Sequence, residues 1–558
     1  MKHRRGLNLK ETICGGGEKA VAMDAAFSVI MSFIAVFNKN AIVDHLFFNR
    51  YDVPRYAFLF LLYMALFFIA TRIIAMCFLH EAKKDVVSNE RKSPHFMAAL
   101  AMFAAWIPYL LGFLPGVANY DTVNQVNDFF DGVSPVPFGF VKGQETVNVF
   151  LNAHHPIVPT FIFSFFVAAG ALLGSETLGF LLYILCQMLL GAFLISEILC
   201  FLHENAADSR SRLIIKSVRV FFMFMPFVPM YMICMLKNTM HSLLFILYIF
   251  VLYRYYLGKD DKPAKSWIVF FIIVLLLCTT LNTGVFVTLF TGIASLFIRK
   301  KDSRILLISV LCAVIWFIVF PKLLYPALNV FPGGKQELYG TLFHQTARLI
   351  RDNEEEFTKE DKQIIDAVLD YEKIKENFSF DATDPVKDTF RLHSTDEDMR
   401  KYLGLWLRMG IKHPIVYLRA TFSICGNFFA PGAGIQIFGD IPQSEGMFGK
   451  IHAITPRVFG DKAFSLYYNV TITPFIRLIF QTVIYAFWIP VYLLYVLVIR
   501  KKMLGTYESR PEMIILVPLF VSALFLIVSP MNYSRYALCL IFASPIAIAL
   551  LCTENKKS

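Results

Sequence analysis

Residues 152–174 read NAHHPIVPTFIFSFFVAAGALLG. Whether this run crosses a membrane decides the topology of everything after it. The chain has 558 residues, 57% of them hydrophobic, with 57 Phe and a mean hydropathy of +0.57. A soluble chain of this length cannot hide so much apolar surface, so the composition predicts an all-α polytopic membrane protein. The N-terminus MKHRRGLNLK is basic, but the apolar run after it has no evident small-residue cleavage site for a signal peptide. The ten Cys are scattered, many inside apolar runs, with neither a CxxC nor a His/Cys metal spacing; they read as small core residues.

The net charge of +11 is uneven. Residues 331–470 hold 20 acids and 17 bases, a net of −3, so the remainder carries +14. That excess sits largely in short loops, which is the pattern of cytoplasmic loops and not of nucleic-acid binding. Long apolar runs predict spans near 21–37, 56–79, 95–115, 178–202, 218–234, 239–257, 267–281, 284–298, 303–323, 476–499, 513–529 and 537–551. Basic segments at the N-terminus, 81–92, 203–219, 258–265, 299–304, 500–502 and the C-terminal tail are assigned to the cytoplasm. Span 95–115 then leaves the cytoplasm, and loop 203–219 must lie back inside. Only an odd number of crossings joins them, yet two apolar runs intervene, 157–174 and 178–202. The first is expected to be an interfacial or partly embedded helix. That choice predicts twelve spans with both termini cytoplasmic.

The same count gathers polar features on the external face: the loop 116–156, LKNTMH at 236–241, LNTG at 281–284, SPMNYSRY at 529–536, and the long segment 326–470. In that segment, Thr358 with Asp361 three residues on predicts a helix start, with a stripe from Ile364 to Tyr371 at helical spacing. A second helix is expected over 396–412, and 413–424 is expected to run along the membrane. Asp121 stands just past a span, where thinning water can raise a carboxylate pKa and make it a general base; as a bland alternative it is a loop residue or helix cap. Tyr120 and Gln125 fit along one wall, and Asp128 and Asp131 are alternative carboxylates. His154-His155-Pro156 stands at the foot of the apolar run, where a helix N-terminus favours anions; two imidazoles without a third ligand do not make a metal site. Lys237 is either a snorkelling lysine or a point charge for a lipid phosphate. Arg535, followed by Tyr536, suits bidentate phosphate contact. Charges inside spans are few, mainly Asp24, Arg72 and Glu197.

The order of YD (120–121), HHP (154–156), KNT (237–239) and RY (535–536) resembles the GT-C superfamily of membrane glycosyltransferases, including protein O-mannosyltransferases and the lipid A aminoarabinose transferase. The likeness covers roughly 95–325 and 475–551, and is strongest to multi-spanning bacterial members. It implies an enzyme of the cell membrane that moves a sugar from a polyprenyl-phosphate-linked donor to a cell-envelope glycan, lipid or protein acceptor, with inversion. It also implies Asp121 as general base, Lys237 and Arg535 on the donor phosphate, an extracytoplasmic site and no required cofactor or metal, since the first loop lacks a DxD pair. The divisions expected are an N-terminal two-span region, 1–94; a catalytic membrane module, 95–325; an extracytoplasmic helical segment, 326–470; and a C-terminal three-span region, 471–558. A transporter or a lipid or polysaccharide flippase is the main rival, but the polar groups gather at one face and not at mid-membrane. A polymerase or ligase using a diphosphate donor would call for more external Arg, and a noncatalytic scaffold leaves the polar cluster unexplained.

Overall fold

The computed structural model describes residues 17–36, 53–79, 95–137, 146–206, 208–257, 263–298, 303–334, 336–432, 434–473, 476–507 and 510–552. The N-terminal basic segment, the basic loop 81–92, most of 258–265 and 299–304, part of the first external loop (138–145) and the C-terminal tail lie outside the described residues. The chain is helical and embedded in the membrane. Eight helices are long and apolar enough to cross one, by length and composition.

The first three long helices are α1 (Gly17–Val36), α2 (Val53–Leu79) and α3 (His95–Gly112). Strand β1 (Val117–Ala118) follows, then α4 (Tyr120–Asp131), β2 (Val133–Pro137), β3 (Thr146–Val149), β4 (Leu151–Asn152), α5 (Ile157–Leu172) and α6 (Glu176–Glu204). His95, at the start of α3, lies between Glu197 (3.0 Å) and Glu204 (3.2 Å), near the end of α6. The two helices therefore run antiparallel. At the other end, Gly116 sits at φ +133°, and a Cβ there would meet the Ile233 carbonyl at 2.8 Å. Only glycine fits that approach.

Helix α5 begins beside the polar loops at Pro156 and turns back into α6 through residues 173–175. Its crossing with α6 is made by two glycines: a Cβ on Gly170 would fall 2.3 Å from the Gly179 nitrogen, and one on Gly179 would fall 2.2 Å from the Phe166 oxygen. Small residues let the backbones touch. Phe163 and Phe166 pack on Tyr183, with ring centroids 5.2 and 5.5 Å apart, so α5 runs antiparallel beside the first half of α6.

The next stretch differs from the sequence expectation. A span was expected at 218–234 after a basic loop. Instead α7 (Ser209–Phe224) starts well inside that loop, because Asp208 caps it by accepting from the Ser211 N–H at 2.6 Å. Pro226 then stops it, and α8 (Phe227–Met232) and β5 (Cys234–Met235) complete the return. Helices α9 (Lys237–Tyr256), α10 (Pro263–Thr280), α11 (Thr283–Ser295) and α12 (Ser303–Ala327) run back and forth. A hydrogen bond from His241 to Thr280 at 2.9 Å sets the 281–284 turn level with the start of α9.

After β6 (Val330–Phe331) the chain builds a cap with its own apolar core, from α13 (Gln336–Asn353), α14 (Lys359–Asp366), α15 (Tyr371–Glu376), α16 (Asp396–Lys412) and α17 (Pro414–Phe429). Phe343, Ile350, Ile365, Leu369, Ile374 and Tyr402 are buried in it. Capping boxes start α14 at Thr358/Asp361 and α16 at Thr395/Asp398. The stripe expected to continue from 358 to 376 breaks after Asp366, because Asp370 caps a new helix by accepting from Lys373 N–H and its own N–H bonds to Thr389. Helix α18 (Arg457–Ile472) leads back to α19 (Ile484–Met503), α20 (Pro511–Val528) and α21 (Ser534–Leu551). A 3-10 turn at 476–480 precedes α19, where a longer span, 476–499, was expected. Away from the cap, Asp24 of α1 is fully buried between Arg72 of α2 (2.8 Å) and Arg500 of α19 (2.9 Å), and also accepts from the Tyr495 hydroxyl at 2.8 Å.

Candidate functional site

Two parallel strand pairs bring distant loops to one end of the bundle. β1 pairs with β5, Val117 opposite Cys234, and β4 pairs with β6, Leu151 opposite Val330. The first pair sets the start of α4 beside the start of α9. Asn119 caps α4, its side-chain oxygen accepting from Thr122 N–H at 3.1 Å, and the Thr122 hydroxyl donates to the Met235 carbonyl at 2.6 Å. Asp121, in the first turn of α4, and Lys237, the first residue of α9, are therefore fixed against each other.

The Asp121 Oδ2 atom takes Lys237 Nζ at 3.0 Å and Arg535 Nη1 at 3.1 Å. Lys237 Nζ also lies 2.8 Å from His155 Nδ1, just before α5. An ammonium has only donors, so Nδ1 accepts and the ring proton belongs on Nε2. Arg535 is held by Asn238, which donates to its carbonyl at 3.1 Å, while its Nη2 donates to the Tyr536 hydroxyl at 3.1 Å. Its Nε is buried without a hydrogen-bond partner. One carboxylate against two cations leaves a net charge of +1. Burial pushes the Asp121 carboxyl up, but Lys237 and Arg535 outweigh it and hold it well below the usual carboxylate range. Burial, helped by Lys237, keeps His155 neutral.

Asp121, His155, Lys237, Arg535 and Tyr536 meet. His154 adjoins them, its ring centroid 4.5 Å from that of His155, but its Nδ1 turns to Glu337 at 3.4 Å. Two other residues expected along the wall do not line this cluster. Gln125 is buried against α5, donating to the Thr160 hydroxyl at 2.8 Å. Tyr120 is 70% exposed and faces outward. Asp128 is two turns along α4 from Asp121, about 10 Å at 1.5 Å per residue; burial and then Asp131 push its carboxyl up to about 6. Asn119, Thr122 and Asn238 carry no sequence signal of their own; their role emerges only from the strand pairing.

One cavity adjoins the cluster through His154, and a second is tied to it by a hydrogen-bond relay. A polar one of about 380 Å³ lies between His154 and the cap. An apolar one of about 420 Å³ lies among α3, α8 and α18, lined by Pro108, Phe113, Met230, Leu466, Tyr467 and Val470. The residue after Met230 links it to the cluster: Tyr231 donates to the Gln436 carbonyl at 2.8 Å, and the Gln436 side-chain oxygen accepts from the Ser534 N–H at 3.3 Å, next to Arg535. Among the described residues no group of three or more His, Cys, Asp or Glu is arranged to hold a metal ion.

A family model matches residues 18–558, nearly the whole chain. The chain belongs to DUF6020, a family of unknown function. No curated protein and no solved structure matches this DUF6020 member.

Proposed function

We propose that this protein is a polyprenyl-phosphate-sugar-dependent glycosyltransferase, of GT-C type, working on the extracytoplasmic face of a bacterial cell membrane. In this reading the eight long apolar helices cross together with four further legs, 209–232, 237–256, 263–280 and 283–295, giving twelve spans with both termini cytoplasmic. The alternating helix directions support that count.

The observation that carries the proposal is the net positive cluster of Asp121, Lys237 and Arg535. A single phosphodiester has one negative charge and matches it. The donor phosphate takes up Lys237 and the unpartnered Arg535 Nε, its tail enters the apolar cavity beside α3, and the acceptor hydroxyl approaches Asp121. Without donor, two cations hold the Asp121 proton affinity down. Once phosphate shares them, that affinity rises and the carboxylate accepts the hydroxyl proton. The acceptor oxygen bonds to the anomeric carbon as the bond from that carbon to the phosphate oxygen breaks. Polyprenyl phosphate leaves with its charge stabilised by Lys237 and Arg535. His155, neutral and bonded to Lys237, orients the ammonium.

The test is transfer of radiolabelled sugar from a panel of polyprenyl-phosphate donors to cell-envelope fractions by purified protein in nanodiscs. Wild type is expected to turn over at least one donor, and folded Asp121→Asn to lose about 10²-fold or more, the scale of general-base loss. Turnover that survives in Asp121→Asn and vanishes in Asp128→Asn moves the base to Asp128. No donor turnover, with a labelled lipid carried across proteoliposomes, overturns the transferase reading in favour of transport.

A further inference from the structure

The polar cavity beside His154 has the opposite character to the cluster it adjoins. Its wall carries Glu337, Asp384 and Asp388 against one cation, Lys387. Lys387 is already spent: its Nζ lies 2.8 Å from Glu337 and 2.8 Å from Asp384. Burial and then the lysines lower the proton affinity of His154, opposed by Glu337, so it adds little positive charge. Asp388 is exposed, and its carboxylate has no hydrogen-bond or ion-pair partner among the described residues, its backbone N–H bonding to the Asp384 carbonyl at 2.8 Å. Gln336, whose side-chain oxygen is buried without a partner, lines the cavity too. The charged hydrogen-bonding capacity left open on this wall is therefore acceptor capacity, in a net negative field, beside the two amides of Asn152 and Gln336, which both donate and accept. A ligand must bring donors and no negative charge.

We infer that this cavity is the acceptor subsite, and that it takes a neutral or amine-bearing glycan and excludes anionic acceptors such as phosphate-linked or uronic-acid polymers. The inference rests on the transferase reading for the word acceptor, but the ligand class follows from the cavity alone. A volume near 380 Å³ is that of a small-molecule cleft and has room for sugar. A peptide would call for an open strand edge or an apolar groove, whereas this lining is mostly carboxylate, amide and imidazole. The cavity and the cationic cluster meet at the His154–His155 pair, so a glycan held by Asp388 and Glu337 reaches toward Asp121 while the phosphate stays on the other side. The two charges sort the two substrates.

The test is direct binding by the full chain in nanodiscs, by titration calorimetry, of three trisaccharides: glucose (neutral), glucosamine (cationic) and galacturonate (anionic). Glucosamine and glucose trimers are expected to bind, with the glucosamine trimer at least tenfold tighter than the galacturonate trimer. Asp388→Lys, at wild-type Tm, is expected to weaken the glucosamine trimer tenfold or more and close that gap, while Asp121→Asn leaves the order intact. Equal affinity for all three, no binding of any, or an Asp388→Lys protein with the order unchanged overturns the assignment. Trisaccharide binding with the expected charge order but no donor turnover overturns the transferase reading alone; turnover without the charge order overturns this inference alone.

Discussion

Asp121 has a structural duty in the cluster. Held at about 3 Å from each of two cations, it prevents Lys237 and Arg535 from facing each other unscreened. Removing one partner from a buried ionic group typically costs about 3–5 kcal/mol, so Asp121→Asn is expected to lower Tm by several degrees. Phosphate or a short-chain polyprenyl phosphate is expected to restore much of that loss by taking the vacant place, and to raise wild-type Tm less. Equal shifts in both proteins, read by differential scanning fluorimetry, would sink the anion-site assignment. Asp128 gives a separate test. Burial and then Asp131 push its folded pKa up to about 6, above the ordinary 3.8 of an Asp carboxyl, so the native state binds its proton more tightly than the unfolded chain does. Its contribution therefore weakens as pH rises from about 4 to about 6 and is flat above. Asp128→Asn is expected to remove that slope and to raise neutral-pH Tm slightly; an unchanged pH profile would reject the shift. The side chains that gather in the cluster were legible at this scale, since an acid, two His, a Lys and an Arg stand out in an oily chain. Gln125 was misleading because an amide reads the same from sequence whether it faces a ligand or, as here, the hydroxyl of Thr160.

Among the elements, α5 is where topology and site meet. It ends at a crossing where glycine backbones touch, and it begins two residues after His155. Gly179→Ala is expected to push α5 off α6, costing about 1–3 kcal/mol as overpacking does, and to reduce donor turnover by shifting His155 against Lys237. A Tm drop with donor binding and turnover untouched would separate the crossing from the site. The helix signals in sequence were strong where local chemistry sets them, as at Thr358 with Asp361, though the stop at Pro226 went unread inside the span expected at 218–234. They failed where tertiary bonds decide, as at Asp370, whose bond to Thr389 ends a stripe that otherwise runs on. The two-residue strand pairs β1–β5 and β4–β6 left no trace at all, because strands so short have no periodicity to read.

At the scale of the whole molecule, the buried Asp24 ties the N-terminal hairpin to α19 through Arg72 and Arg500. Asp24→Asn leaves two buried guanidinium groups without their carboxylate and is expected to destabilise by about 3–5 kcal/mol. Restoring neutrality with Arg72→Met and Arg500→Met in the same protein is expected to recover part of it. If the triple variant melts no higher than Asp24→Asn alone, the knot contributes through shape and not charge. The sequence marked Asp24 and Arg72 as rare intramembrane charges but could not pair them with Arg500, which reads as one more member of a basic loop. The charged cluster shares this dependence on distant parts. Arg535 belongs to the last helix, while Asp121 and Lys237 belong to early ones, so a chain still emerging from the ribosome holds a neutral Asp121–Lys237 pair with no surplus for a phosphate. The surplus arrives only as the helix that carries Arg535 threads into place, so the cationic cluster cannot form ahead of that step.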